Sequence, residues 1–167
     1  MYTKKIFTVF GQDKRQMVIA KALSKKGHKV RLCCAGDLSE LIDGCEMFLD
    51  WKQAVSGCDA IILPLPVSRD GVYVNGMDNV AALVDVIEYF KKAGCKCILG
   101  GLIPEKILNG ENGSTKIIDY YKSEDLQKKN ALPSAEGALM IAMEHTEITV
   151  SHMKALICGY GRIGSCL

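Results

Sequence analysis

The chain has 167 residues, of which 49% are hydrophobic, so it is long enough to bury one sizeable core. Its 21 basic and 19 acidic residues give a formal net charge of +2 with no long block of one sign, which argues against a nucleic-acid or membrane surface as the partner. No segment approaches the roughly 18 apolar residues that span a bilayer, and the N-terminus lacks the features of a signal peptide. We therefore expect a cytoplasmic protein whose partners are small molecules or other proteins.

Strand and helix patterns alternate along the chain. Apolar runs predict the strands, and amphipathic stretches that end at Gly27 and Gly94 predict the two main helices. In chain order the predicted elements are a strand at 6–10, a helix at about 13–26, strands at 30–34 and 46–49, a helical turn at 51–56, a strand at 60–65, a helix with Val80, Leu83, Val84, Ile87 and Phe90 on its inner face, a strand at 97–99, a short helix at 104–108 and a strand at 116–120. This alternation predicts an α/β fold with a doubly wound, mostly parallel sheet, the three-layer architecture of Rossmann and flavodoxin-like domains.

Cysteine and histidine positions give no support to a metal site. The chain has 8 cysteines but no C-x-x-C pair, and His28, His145 and His152 lie outside the usual ligand spacing. We therefore expect reduced cysteines that mostly act as small buried hydrophobic residues, and no metal.

The last third of the chain predicts a long buried helix and then the start of a second domain. The segment 132–144 is apolar nearly all round, so we expect a helix that begins at Pro133 and Ser134 and lies between two domains. The apolar run 154–158 predicts a buried strand, and the G-x-G-x-x-G pattern that follows it is typical of a dinucleotide-binding turn. The alternative for the latter is an ordinary glycine turn.

The chain ends at Leu167, before the residue that would read the ribose about 20 positions further on. We therefore predict a domain over 1–150, which includes an interdomain helix at about 133–145, and a truncated start of an NAD(P)-binding Rossmann domain over 151–167. The expected cofactor-binding residues are those of the glycine turn: Gly159, Gly161, Arg162, Ile163 and Gly164. This chain alone should bind nicotinamide nucleotides poorly, so no bound cofactor is expected.

Four motifs in this order and spacing resemble those of one family. They are the segment 11–16 after the first strand, Leu63-Pro-Leu-Pro66, the segment 133–140 and the glycine turn. The chain resembles, along its whole length, the A subunit of bacterial dipicolinate synthase, the dehydrogenase that makes the dipicolinic acid of endospores. It departs from the family at Gln12, where a second glycine is usual. The segment from Ser134 to Glu136 is also loosely similar to the interdomain helix of 2-hydroxyacid dehydrogenases.

The resemblance implies a function for the longer protein. It implies oxidation of a dihydrodipicolinate-type intermediate to dipicolinate, with NADP as hydride acceptor and NAD as the alternative, in the mother cell of a sporulating bacterium. It also implies that the partner is the flavoprotein-like B subunit of dipicolinate synthase, with homo-oligomerisation left open. The fragment alone is expected to be inactive.

A small dicarboxylate substrate requires fixed positive charge and a group that takes a proton. Arg15 is the favoured carboxylate ligand, with a surface pair to Asp13 as the alternative. Arg69 could bind the second carboxylate, although a solvated loop charge is favoured there. Gln16 and Ser134 complete the candidate substrate-binding residues, and Ser134 could instead only cap its helix. Asp13 and Glu136 are the candidate proton acceptors, with water, or for Glu136 a purely helix-stabilising charge, as alternatives.

Two other functions remain open on the sequence. The chain could be the substrate domain of a 2-hydroxyacid or amino-acid dehydrogenase, or a non-enzymatic flavodoxin-like binding module whose glycine motif is incidental.

Overall fold

The computed structural model describes residues 3–11, 13–33, 44–77 and 79–167. They divide into two compact units, Met1–Tyr120 and Tyr121–Leu167. In the first unit the elements alternate as predicted. They are β1 (Ile6–Phe10), α1 (Lys14–Lys25), β2 (Lys29–Cys33), β3 (Cys45–Phe48), α2 (Trp51–Val55), β4 (Ala60–Ile62), α3 (Leu83–Lys92), β5 (Cys97–Gly100), α4 (Glu105–Leu108) and β6 (Lys116–Asp119).

The six strands form one sheet in the order β3-β2-β1-β4-β5-β6, and every neighbouring pair is parallel. This order confirms the doubly wound α/β fold predicted from the sequence, and it is the strand order of Rossmann domains. β4 is shorter than predicted and ends at Ile62. Pro64 and Pro66, which lack the N–H groups that a ladder needs, follow closely.

Side chains from alternate strand positions enter two hydrophobic cores, one on each face of the sheet. Phe10, Ile61 and Phe90 belong to the larger core, whereas Val9 and Leu32 belong to the smaller one. The aromatic rings of Phe10 and Phe90 meet edge to face, with centroids 5.7 Å apart. Burial of both sheet faces explains why the strands are apolar runs in the sequence.

The inner face of α3 differs in part from the prediction. Leu83, Ile87 and Phe90 are buried as expected, and Val86 lies with them. Val80 and Val84, however, are exposed. The helix begins only at Leu83, so Val80 precedes it, and the helical spacing from Leu83 turns the neighbouring position outwards.

The second unit consists mainly of one long helix, α5 (Glu124–Glu144). Its N-cap is Ser123, whose hydroxyl accepts a hydrogen bond from the backbone N–H of Leu126 at 3.4 Å. The helix therefore begins well before Pro133, which was predicted to start it, and Pro133 lies in its interior. No helix in the described ranges is long and apolar enough to cross a membrane.

The structure of this unit differs from two further expectations. α5 was predicted to be buried, yet only Ala131 and Ala135 are buried along it, while Met140 and Met143 are exposed. The segment 154–158 was predicted to be a buried strand, but it has no strand structure and Leu156 is 89% exposed. An apolar run becomes a strand only where a neighbour accepts its backbone hydrogen bonds, and the one sheet of the described residues lies in the first unit.

Candidate functional site

The candidate site lies where the winding of the sheet reverses. The chain proceeds from β1 to β2 and β3 on one side, and from β4 to β5 and β6 on the other. The carboxyl ends of β1 and β4 therefore form the topological switch point, where doubly wound sheets bind their ligands. The residues that follow these two strands, together with the end of β6, supply the polar groups of the site.

Gly11 brings the turn after β1 close to the loop after β4. Its φ of 105° is one that residues with a side chain rarely adopt. A Cβ added there would lie 3.5 Å from the backbone oxygen of Asn75 and 3.7 Å from Cβ of Pro64. The backbone of the turn thus approaches this loop closely, and α1 starts directly after it.

Asp13 and Arg15 form a tight pair at the start of α1. The Asp13 carboxylate caps the helix by accepting from the backbone N–H of Arg15 at 2.7 Å. Nε of Arg15 lies 3.0 and 2.9 Å from the two carboxylate oxygens, and Nη2 bonds to Oδ2 as well. Nη2 also donates to the backbone oxygen of Leu65 at 2.9 Å, which ties the turn after β1 to the loop after β4.

This pair changes the chemistry of both groups. The side-chain hydrogen bond from Arg15 is the main cause of the lowered pKa of Asp13, and the charge of Arg69 lowers it further. The same hydrogen bond raises the pKa of Arg15. The surface pair that was the alternative for Arg15 is therefore present, and the lowered pKa makes the Asp13 carboxylate a weak base. The catalytic and substrate-binding roles of these residues stay predictions.

The loop after β4 is held by its own hydrogen bonds. The N–H of Val67 donates to the oxygen of Gly101 at 2.8 Å, which joins the loop to the end of β5. The side chain of Asn75 donates to the oxygen of Pro66 at 3.2 Å, and its backbone N–H donates to the oxygen of Val67 at 2.9 Å. The Leu65–Pro66 peptide bond is cis. The loop is therefore an ordered wall of the site.

The carboxylate of Asp70 stabilises the tip of this loop. Its Oδ1 accepts from the backbone N–H groups of Val72 at 2.8 Å and Tyr73 at 2.9 Å, and from the hydroxyl of Ser68 at 3.0 Å. The backbone hydrogen bond from Tyr73 is the main cause of the lowered pKa of Asp70. Arg69 lies between these anchored neighbours and is exposed.

Tyr120 belongs to the site but was not singled out from the sequence. It follows β6 directly, and its hydroxyl donates to the backbone oxygen of Leu63 at 3.2 Å. Burial raises its pKa to about 12, so the hydroxyl stays neutral. A Cβ on Gly101 would lie 3.0 Å from its ring and 2.9 Å from Cβ of Leu65. Its place after a parallel strand was the signal that could have identified it.

Gln16 lies beneath the turn after β1. Its side chain is only 1% exposed, and its Oε1 has no hydrogen-bond partner within the described ranges. Its Cγ is 3.7 Å from the position that a Cβ on Gly11 would take, which places it at the switch point. A buried acceptor without a partner is uncommon in proteins.

The remaining predicted site residues belong to the second unit. Ser134 and Glu136 lie in the interior of α5, so Glu136 is not a first-turn charge, and Ser134 does not cap the helix. The hydroxyl of Ser134 donates to the backbone oxygen of Asn130 at 2.8 Å. Their predicted roles are left untested by this arrangement.

The glycine turn has part of the geometry that a dinucleotide requires. Gly159 has a φ of 114°, and a Cβ on Gly164 would overlap with the backbone oxygen of Gly159. Gly161, Arg162 and Ile163 lie between them in an exposed series of turns. Two of the three glycines therefore occupy positions where a side chain would be strained, while the strand predicted before them does not form. The cofactor-binding roles of the turn stay predictions. The described residues contain no cluster of three metal-ligating side chains.

The chain is similar to known proteins over nearly its full length. The family model for the N-terminal domain of the dipicolinate synthase A subunit matches residues 6–121. The A subunit of dipicolinate synthase from Bacillus subtilis (strain 168) is 22% identical over 166 residues, which are 98% of this chain and 56% of that protein.

Two solved structures share the fold. That of the dipicolinate synthase A subunit from Bacillus halodurans has a TM-score of 0.78 and 23% identity, with 99% of this chain and 57% of that chain covered. Its Bacillus subtilis counterpart has a TM-score of 0.67 and 23% identity, with 89% of this chain and 51% of that chain covered. The chain thus spans little more than half the length of these relatives. The matched residues include both walls of the switch-point site, and the chain belongs to the family of N-terminal domains of the dipicolinate synthase A subunit.

Proposed function

We propose that this chain is the substrate-binding part of an NADP-dependent dehydrogenase that oxidises a dihydrodipicolinate-type intermediate to dipicolinate during sporulation. The observation that carries the proposal is the pair of arginines at the switch point of a domain of this family. Arg15, Arg69 and Asp13 together carry a net positive charge, which a dicarboxylate requires, at the place where such sheets bind ligands. NAD is the alternative acceptor.

The reaction needs two transfers. The dihydropyridine ring loses a hydride from carbon and a proton as it becomes aromatic, and bound NADP would supply the hydride acceptor. The proton goes to a nearby base or to water. Asp13 is poorly suited because its bond to Arg15 lowers its pKa, which makes it a weak base, and occupies both of its oxygens. The proton acceptors that remain in this proposal are Glu136 of the longer protein and a water molecule.

The partners in the proposal follow the family. The flavoprotein-like B subunit would act with the longer protein in the cytoplasm of the mother cell, and neither nucleic acid nor membrane is required. The glycine turn would belong to the cofactor half of the protein, in line with the φ of Gly159 and the close packing of Gly164.

The test uses the longer protein with its candidate flavoprotein-like partner and NADP. Freshly made hydroxytetrahydrodipicolinate, which gives the dihydropyridine by loss of water, is the starting acid, and NADPH and dipicolinate are followed together. We expect equal amounts of both products. Arg15→Ala should lower kcat/KM by roughly tenfold or more, because it removes the hydrogen bond to the backbone oxygen of Leu65 and leaves the negative charge of Asp13 without its partner. Lys21→Ala, which removes an exposed charge elsewhere on α1, should act as wild type.

Other results would favour the alternative functions. Oxidation of 2-hydroxy or amino acids without the flavoprotein-like partner would assign the chain to another dehydrogenase. A folded longer protein that reduces no NADP with any of these acids would favour a binding module.

A further inference from the structure

Arg69 carries a positive charge that no residue in the described part of the chain pairs with. It is exposed on the loop after β4, and among the described residues it takes part in no hydrogen bond or ion pair. It belongs to the loop that Arg15 binds through the backbone oxygen of Leu65, and its charge helps to lower the pKa of Asp13. The loop therefore places a cation at the edge of the switch point without a protein partner in the described part of the chain.

The nearest acidic residue in the sequence does not neutralise it. Asp70 uses its carboxylate on Val72, Tyr73 and Ser68, at 2.8 to 3.0 Å. These bonds hold the carboxylate to the backbone of the loop. The fold of the loop thus depends on Asp70 while the charge of Arg69 remains available.

Arg15, by contrast, is already engaged. Its Nε and Nη2 groups bind both oxygens of Asp13, so the two charges cancel. Nη2 also holds the backbone oxygen of Leu65. Arg69 consequently supplies the net positive charge of this group of three side chains. An anion would gain more from Arg69 than from Arg15, which it could bind fully only by displacing Asp13.

Gln16 leaves a second polar group of the switch point without a partner. Its buried Oε1 has no hydrogen-bond partner among the residues that the structure describes, and its side chain lies against Gly11 in the turn after β1. Leaving such an acceptor unpaired is unfavourable in a folded protein. A water molecule between Oε1 and a bound carboxylate would donate a hydrogen bond to both.

We infer that Arg69 is the residue that binds a carboxylate of the ligand, and that Arg15 is a positioning residue that holds Asp13 and the loop after β4. This inference rests on the proposed function and deepens it, since it reverses the roles that the sequence favoured for the two arginines. The ligand class is a small organic acid.

The test titrates this chain with pyridine-2,6-dicarboxylate by calorimetry at several salt concentrations. Arg69→Ala should weaken binding about tenfold or more and remove most of the salt dependence, because it deletes the uncompensated charge. Arg69→Lys should restore part of the affinity. Lys21→Ala is the control with the same change of charge on an exposed site.

Arg15→Ala separates positioning from binding. It should also lower the affinity, but the salt dependence should persist because Arg69 remains. Wild-type affinity in folded Arg69→Ala, or failure of the wild-type chain to bind the dicarboxylate, would overturn the inference. Binding through Arg69 by a longer protein that reduces no NADP would overturn the proposed reaction alone.

Discussion

Two arginines at the switch point show how the partners of a side chain decide its role. Arg15 is bound by a carboxylate and a backbone oxygen, so it connects two segments of the fold. Arg69 has the same guanidinium group, but the carboxylate of the adjacent Asp70 accepts hydrogen bonds from the backbone of the loop instead. Residue type alone therefore could not rank them. The hydrogen bonds that Arg15 makes, and that Arg69 lacks among the described residues, make the difference.

The charge on Asp13 should stabilise the protein only above the acid range. The pKa of Asp13 is lowered in the folded state by its hydrogen bond to Arg15, so its contribution is present above the unfolded value near 3.8 and is lost as the pH falls through the lower folded value. Asp13→Asn should cost less than about 1 kcal/mol at pH 6, since the pair is partly exposed and Asn also caps helices. Urea unfolding at about pH 6 and pH 2 measures this.

Wild type and Asp13→Asn should have nearly equal free energies of unfolding at about pH 2. A difference that stays constant with pH would show that the ion pair is not its source. Arg15→Gln provides the matched control, because it removes the other charge of the same pair.

The sequence could predict the proximity of Asp13 and Arg15, because both lie in the opening turn of one helix. It could not predict that Arg15 reaches Leu65, 50 positions away, since that contact depends on β1 and β4 pairing side by side. Tyr120 was missed for the same reason, although its place after a strand pointed to the site.

At the scale of elements, the apolar runs predicted the first unit well because each of its strands has a neighbour on the sheet. The same kind of run at 154–158 predicted a strand that the structure does not contain, because a local pattern carries no information on whether a partner strand exists. The start of α5 was misplaced because Pro133 suits a first turn, whereas the hydroxyl of Ser123 caps the helix earlier. A helix tolerates such a proline at the loss of one backbone hydrogen bond.

Two glycine substitutions should have opposite effects on stability. Gly101→Ala should destabilise the first unit by about 1–3 kcal/mol, because the new Cβ would press on Leu65 and Tyr120. Gly137→Ala lies in the interior of α5 with no atom within 4 Å of the new Cβ, so it should stabilise the helix by about 0.5–1 kcal/mol. Thermal unfolding followed by circular dichroism compares both with wild type.

The prediction also has a local readout. Gly101→Ala should shift the alkaline titration of Tyr120 towards that of an exposed tyrosine if the ring is displaced. Unchanged titration and unchanged stability together would contradict the close packing of Gly101.

At the scale of the whole molecule, the second unit exposes apolar surface. Met140, Ile141 and Met143 are 52%, 53% and 56% exposed on α5. A nearby groove of about 230 Å³ is lined by apolar side chains of the same unit, among them Leu139 and Met153. Exposed apolar patches of this kind favour association.

We therefore expect this chain to self-associate as its concentration rises, and light scattering measures the change in mass. Ile141→Lys should reduce the association, because it places a charge in the patch. Val18→Lys is the matched control, since Val18 is an isolated exposed residue on α1. A chain that stays monomeric at high concentration would refute the expectation.

The carboxylate of Asp70 limits the conformations of the loop tip before any ligand arrives, much as a covalent cross-link would. Binding of a ligand at Arg69 would then cost the translational and rotational entropy of the ligand and the conformational entropy of one side chain. The backbone of the loop would lose little conformational entropy. Association at such a site is governed by diffusion and charge, because the loop that carries Arg69 is already folded. Release is equally direct, and it would allow rapid loss of the aromatic product of the proposed reaction.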